Sequence, residues 1–275
     1  MIEVVSTKRS SGSECEPAPP AGPVGDRVTY VGHATVLLEL EGKRLLTDPV
    51  LRRRVGPLRR QGNDPPGDVS DRIDAVLLSH VHLDHSDRRS LRRLDPQVPV
   101  LGPPGSGEFL RGAGFASVTE LAPGEAATVA GLRVEATRAE HGGRRHPLSR
   151  AEAQAIGFQV AGGRRIYFAG DTDLFGEMKS LAPGLDLALL PVWGWGTSVG
   201  AGHLDPERAA RAVALLEPRI AVPIHWGTFF PLGLARWRSE FLRDPPQRFA
   251  RLVAERAPQV EVRVLSPGES TSLSP

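Results

Sequence analysis

The chain has 275 residues, 40% hydrophobic and 24% charged, with a formal net charge of +2 and a pI of about 9.0, the make-up of a soluble globular protein with room for a sizeable core. No apolar run is long enough to span a bilayer, no basic stretch leads into an apolar one at the N-terminus, and a lone Cys15 excludes a disulfide framework and thiolate-rich zinc sites. The expectation is a cytoplasmic protein without integral membrane association. Base is unevenly spread: Arg52, Arg53, Arg54, Arg59 and Arg60 share one loop-like stretch, and Arg88, Arg89, Arg92 and Arg93 follow. This pattern reads as a solvated face, with an anion-binding rim as the alternative. With 5% aromatic residues and no stacking motif beside the arginines, nucleic acid is not favoured as a partner.

Residues 1–25 mix Ser, Gly, Glu and Pro and are expected as a mobile tail. Strand-like runs follow at 28–31, 35–40 and 44–47, with Glu41-Gly42 as a turn signal. The Pro/Gly/Arg stretch 55–67 leads into a largely apolar strand, 73–79, that stops at a cluster of histidines; 86–94 reads as a short helix. Short strands separated by Gly and Pro are predicted at 98–101, 117–121, 126–129 and 132–137. Residues 156–160 and 165–169 pattern as a hairpin across Ala161-Gly162-Gly163, and 185–192 as a buried strand. Asp205-Pro206-Glu207 opens a helix running to about Glu217, with Asp as N-cap and Pro at the first helical position. A strand at 220–224 ends at His225. Helical stretches lie on either side of Pro245-Pro246 within 237–256, and a strand at 260–265 closes the fold, leaving 269–275 as a C-terminal tail. The alternation predicts stacked sheets flanked by helices, an α/β protein whose single domain spans 26–268.

The chemistry is concentrated in Ser79-His80-Val81-His82-Leu83-Asp84-His85. Imidazole nitrogens and a carboxylate suit Zn²⁺, and also Mn²⁺ or Fe²⁺. His80 and His82, two apart on an extended segment, project to the same side. Asp84 and His85 come as the chain turns into the helix and can face a second centre. Further donors stand just beyond other predicted strands: His141, Asp171 and His225. The C-terminal ends of strands are where an α/β sheet places its ligand-binding groups. Taken singly, His141 reads equally as a surface residue, Asp171 as a turn former and His225 as a core histidine.

The string His80-x-His82-x-Asp84-His85, followed by His141, Asp171 and His225, resembles the metallo-β-lactamase superfamily. Several blocks are similar to the branch holding the L-ascorbate-6-phosphate lactonases and N-acyl-phosphatidylethanolamine phospholipase D. They are Val31-Gly32-His33-Ala34-Thr35, Leu46-Thr47-Asp48-Pro49, Phe168-Ala169-Gly170-Asp171-Thr172, His203-Leu204-Asp205-Pro206-Glu207-Arg208-Ala209 and Ile224-His225-Trp226-Gly227-Thr228-Phe229. The resemblance implies a four-layer αββα sandwich holding two divalent transition metals, zinc by default. His80, His82 and His141 would bind the first, and Asp84, His85 and His225 the second, with Asp171 bridging. A hydroxide shared by the metals would be the nucleophile, which Asp84 would orient or deprotonate. His33 is expected to orient a metal-bound carboxylate. His203, just before the helix at Asp205, suits binding a phosphate or oxyanion as a second catalytic group; an ordinary loop histidine is the alternative.

Substrate signals are fewer. Trp193 and Trp195 follow a strand at the ligand end and are candidates for the pocket wall or for core packing. His146, among arginines, reads as exposed. No long amphipathic helix or apolar anchor for a bilayer is evident. The expected substrate is a small-molecule ester, lactone or phosphodiester. Two alternatives are a metal-dependent nuclease of the same superfamily, whose members usually carry an inserted domain with no counterpart here, and a non-hydrolytic metal protein. The redox diiron type replaces one member of the string by Glu, whereas His82 is retained.

Overall fold

A computed structural model of the chain describes residues 25–145, 152–194, 200–233 and 239–274. Most of the expected tail 1–25, together with His146 and Trp195, lies outside them. Strands β1 (Arg27–Gly32), β2 (Thr35–Leu40) and β3 (Lys43–Thr47) form a meander, and β4 (Arg54–Val55) and β5 (Leu58–Arg60) a small hairpin. Then come β6 (Ala75–Leu77), α1 (Arg88–Leu91), β7 (Val100–Gly102), α2 (Gly107–Ala113) and β8 (Val118–Glu120). The second half runs β9 (Ala126–Val129), β10 (Leu132–Arg138), β11 (Ile156–Ala161), β12 (Arg165–Phe168) and β13 (Leu187–Pro191). It continues with α3 (Pro206–Leu216), β14 (Ile220–Ile224), β15 (Phe229–Pro231), α4 (Asp244–Arg256), β16 (Glu261–Val262) and β17 (Glu269–Ser272).

Two seven-stranded sheets result, ordered β17-β1-β2-β3-β6-β7-β8 and β16-β14-β13-β12-β11-β10-β9. Period-two alternation divides the first sheet's side chains between two apolar layers. Val28, Tyr30, Val36, Leu38, Leu45 and Leu77 face the second sheet, while Val31, Leu37, Leu46, Val76 and Val100 pack with Leu91, Phe109 and Leu110 from the α1 and α2 side. Helices α3 and α4 bury Ala209, Val213, Leu216, Phe249 and Val253 in the larger cluster with the second sheet. The architecture is the four-layer αββα sandwich, in one domain. No described helix is long and apolar enough to cross a membrane.

Several expectations are corrected. The stretch 269–275 is not simply a tail: β17 pairs antiparallel with β1, and Leu273 is fully buried. Helical stretches do lie on either side of Pro245 and Pro246, a short 3₁₀ helix at Ser239–Leu242 and the body of α4, but the prolines belong to the second rather than separating the two. They occupy the first turn of α4, where a missing N–H costs no hydrogen bond. The strand expected at 260–265 shrinks to Glu261–Val262. Helix α2 has no sequence-level counterpart because glycines at both ends blur its short apolar stripe. Within the stretch read as loop, β4 and β5 form a hairpin that β15 extends to a three-stranded sheet, and there Arg60 is 1% exposed rather than part of a solvated face.

Tyr30 couples the two sheets. Its hydroxyl donates to Trp226 O and accepts from the backbone N–H groups of His33 and Trp226 at 3.1 Å. Burial pushes its phenol up to about 12, more than those hydrogen bonds lower it. The native state therefore keeps this proton while the unfolded chain loses it near pH 10. Fewer protons on the unfolded chain make stability fall as pH rises through that window, by about 1.4 kcal/mol per pH unit. We predict that Tyr30→Phe lowers stability at pH 8 by about 1–3 kcal/mol and flattens the decline above pH 10. Urea unfolding across this range measures both effects, and an unchanged slope would refute the titration.

Candidate metal centre

Strand ends of both sheets deliver the polar cluster. The segment after β6 carries His80, His82, Asp84 and His85, and Asp48 directly follows β3. The second sheet contributes His141 after β10, Asp171 after β12 and His225 directly after β14. The β1–β2 turn adds His33. His33, Asp48 and His225 all have positive φ, at 60°, 34° and 66°, a strained backbone tolerated where surrounding structure enforces it. Gly170 (φ +59°) precedes Asp171, and a Cβ there would lie 2.6 Å from Ser79 Cβ. Only glycine lets β12 end against the histidine segment.

Two donor sets form. In the first, His82 Nδ1 lies 3.0 Å from His80 Nε2 and 3.1 Å from His141 Nε2. In the second, His85 Nε2 lies 3.2 Å from His225 Nε2 and 3.9 Å from Asp84 Oδ2. Asp171 stands beside the second set, with Oδ2 3.2 Å from His85 Nε2 and Oδ1 3.3 Å from His225 Nε2, and groups also with His141 and His203. His80 and His85 share a further cluster with Asp48, so the two sets are contiguous.

The far ring nitrogens settle which lone pairs are presented. His141 Nδ1 donates to Gly202 O at 2.7 Å, and His225 Nδ1 donates to Trp193 O. Ser79 Oγ gives its proton to Asp48 Oδ2 (2.6 Å), so it accepts from His80 Nδ1 (2.9 Å). His85 Nδ1 meets Asp48 Oδ2 at 2.8 Å. Each Nε2 is thereby aimed inward, the arrangement that orients metal-ligating histidines.

Electrostatics separate the sets. Burial, with repulsion from neighbouring rings, holds His80 and His82 below the ordinary imidazole range. Burial likewise lowers His141, to about 4, against the opposing pull of Asp171. The first set is thus three neutral rings whose lone pairs converge. In the second set burial opposes every charge, yet attraction wins. His85 and His225 hold Asp171 well below the carboxylate range, and Asp171 raises both rings. Asp84 is lowered by His85 and His33 despite burial. Asp171 Oδ1 is buried without a hydrogen-bond partner. Neutral nitrogens and two carboxylates are a donor set that fits divalent cations.

The other expected residues are placed as follows. His33 Nε2 donates to Asp84 Oδ2 at 2.9 Å, and its ring lies 3.7 Å from that of His225. His203 Nε2 is 3.8 Å from Asp171 Oδ2, with its side chain 31% exposed. The helix end beside it is capped by Asp205, which accepts from Arg208 N. Trp193 stacks on Phe241, with ring centroids 5.3 Å apart. Arg52 pairs with Asp87 and Arg53 with Asp64. Asp48 was not among the candidate site residues, although it is fully buried and holds Ser79 and His85. Its signal was present: a carboxylate directly after an apolar strand, as with Asp171. Arg145 was also missed; it donates to Val81 O at 2.7 Å and to Ser86 O at 3.1 Å, bracing the histidine segment.

A family model described as the beta-lactamase superfamily domain matches residues 43–226, the stretch that contains all seven donors. The chain belongs to the beta-lactamase superfamily. Within it, a metal-dependent hydrolase of Opitutus terrae is 35% identical over 256 residues, covering 89% of this chain and 98% of that protein. The N-acyl-phosphatidylethanolamine-hydrolyzing phospholipase D 1 of Caenorhabditis elegans is 31% identical, covering 83% of this chain and 70% of that one; it represents the branch to which the flanking blocks point. Among solved structures, a metallo hydrolase from Ignicoccus hospitalis is similar with a TM-score of 0.67 and 26% identity, over 90% of this chain and 98% of that one. This beta-lactamase superfamily member is a metal-dependent hydrolase with candidate His/Asp metal clusters.

Because Asp48 orients His85, Asp48→Asn is predicted to weaken metal retention about 10–100-fold. Competition with a chromophoric chelator reads this directly, and wild-type affinity in the variant would remove Asp48 from the site.

Proposed function

We propose that the chain is a dinuclear hydrolase that cleaves a small phosphodiester, or a lactone or other ester. The observation that supports it most is the convergence of His80 Nε2, His82 Nδ1 and His141 Nε2 within 3.0–3.1 Å steps. Neutral rings so arranged repel through their lone pairs unless a cation lies among them. In this reading His80, His82 and His141 would hold one metal and Asp84, His85 and His225 the other, with Asp171 available to both. Zinc is the default for these donors, with manganese or iron alternatives. Bound there, two such cations would acidify a water towards neutral pH and polarise the scissile group.

The chain's own groups do the rest. Asp84, oriented by His33, accepts the proton of the attacking water. His203, at the exposed rim beside Asp171, donates to the substrate oxygen on which charge develops. A phosphodiester is placed first because the phospholipase D relative is named for hydrolysing one, N-acyl-phosphatidylethanolamine.

Metal analysis of the purified protein is expected to find close to two transition-metal ions per chain, and an active metal-free enzyme would sink the reading. Asp84→Asn should lower turnover about 10²–10⁴-fold with the far-UV circular dichroism unchanged; full turnover would remove Asp84 from the mechanism. A panel of a chromogenic phosphodiester, a lactone, a thioester and single-stranded RNA decides the substrate class.

A further inference from the structure

Arg60 is 1% exposed, yet no carboxylate lies within ion-pair distance of it among the described residues. Burial lowers its guanidinium to about 10, and Nε has no hydrogen-bond partner. Burying an unpaired cation is costly, and an apolar side chain would fill the same volume more cheaply. What the guanidinium contacts explains the exception. One nitrogen, Nη1, donates to Val31 O at 3.1 Å, and Nη2 donates to Val50 O at 2.8 Å. Val31 leads into the strained Gly32-His33 turn, and Val50 stands two residues after the strained Asp48. The same guanidinium lies 5.1 Å from the Phe229 ring, which meets the His33 ring edge-on at 5.3 Å. Gly32 (φ +126°) is needed here, because a Cβ would come within 2.8 Å of Arg60 Nη1 and 2.7 Å of Thr228 Oγ1.

The two loops that Arg60 joins serve one donor set. His33 donates to Asp84, and its carbonyl accepts the His225 backbone N–H at 2.8 Å. Asp48 holds His85. Each of the three donors in the second set, Asp84, His85 and His225, is therefore touched by His33 or Asp48. The first set has an anchor independent of both loops, at His141 on Gly202 O; its link to Asp48 is indirect, through Ser79.

We infer that Arg60 is a positioning residue for the second metal: its planar fork ties the His33 turn to the Asp48 loop, so that Asp84, His85 and His225 are presented together. The inference rests on the two-metal reading above. The test strips the full-length chain with chelator and titrates it with Co²⁺, following ligand-field absorption, with Zn²⁺ competition as a second readout. Wild type is expected to take up two equivalents. Arg60→Met is expected to keep the first at wild-type strength and to weaken the second at least about tenfold, with cooperative thermal unfolding of the metal-free protein retained. Two equivalents at wild-type affinity in Arg60→Met would overturn the inference, as would parallel loss of both, which is what general loosening of the fold produces. If Arg60→Met does not fold, Arg60→Lys decides, since a single ammonium cannot reproduce the fork. Selective weakening of the second equivalent supports the role, and wild-type binding overturns it. A wild-type chain that binds fewer than two ions would instead remove the two-metal reading on which the inference stands.

Discussion

The carboxylate of Asp171 is buried where the two sheets meet, between a ring from each: His85 from the first and His225 from the second. A lone carboxylate in that position would be driven to protonate, and two such rings would be driven to lose their protons. Together each holds the other's charge, and burial is outweighed. The rest of the site follows from this constraint. It requires β6, β12 and β14 to end at the same level, and it requires a left-handed Gly170 so that Asp171 can turn in against Ser79. A divalent cation bound there would take over the work that the protons do in the metal-free chain.

Around that centre the protein spends conformational strain rather than avoiding it. His33, Asp48 and His225 sit at positive φ without being glycine, and each is held by several hydrogen bonds at once. His33 N–H is shared by Tyr30 Oη and Thr228 Oγ1, while Asp48 is fixed by Ser79 and His85. Such over-determination keeps a disfavoured backbone in place. It also removes freedom from the side chains, so the donors are arranged before any ligand arrives.

Some of the architecture could be read from the chain alone. Strands with strong apolar or alternating patterns, such as β2, β11 and β14, and the Asp205-capped helix α3, were visible because local preference and tertiary burial agree there. The terminal strand β17 was not, since Glu269-Ser270-Thr271-Ser272 has no apolar signal and becomes a strand only by pairing with β1. The small sheet β15-β5-β4 was hidden for a similar reason. Its strands are two or three residues long, β4 and β5 carry arginines, and β15 joins them only by pairing across more than 160 residues of sequence.

Residue type and spacing by themselves determined the donor chemistry: three histidines and an aspartate in one segment, with His141, Asp171 and His225 after separate strands. A string of side chains carries its own coordination preferences, so metal-dependent hydrolysis was legible before any fold. Tertiary structure decided what no spacing contains. It divided the donors between two sets, selected the ring nitrogen each presents through Gly202, Trp193, Ser79 and Asp48, and placed the charge of Arg60 inside the protein rather than on its surface. Those outcomes depend on which carbonyl, hydroxyl or carboxylate the fold sets opposite a given atom, and most of these partners lie tens of residues away in sequence.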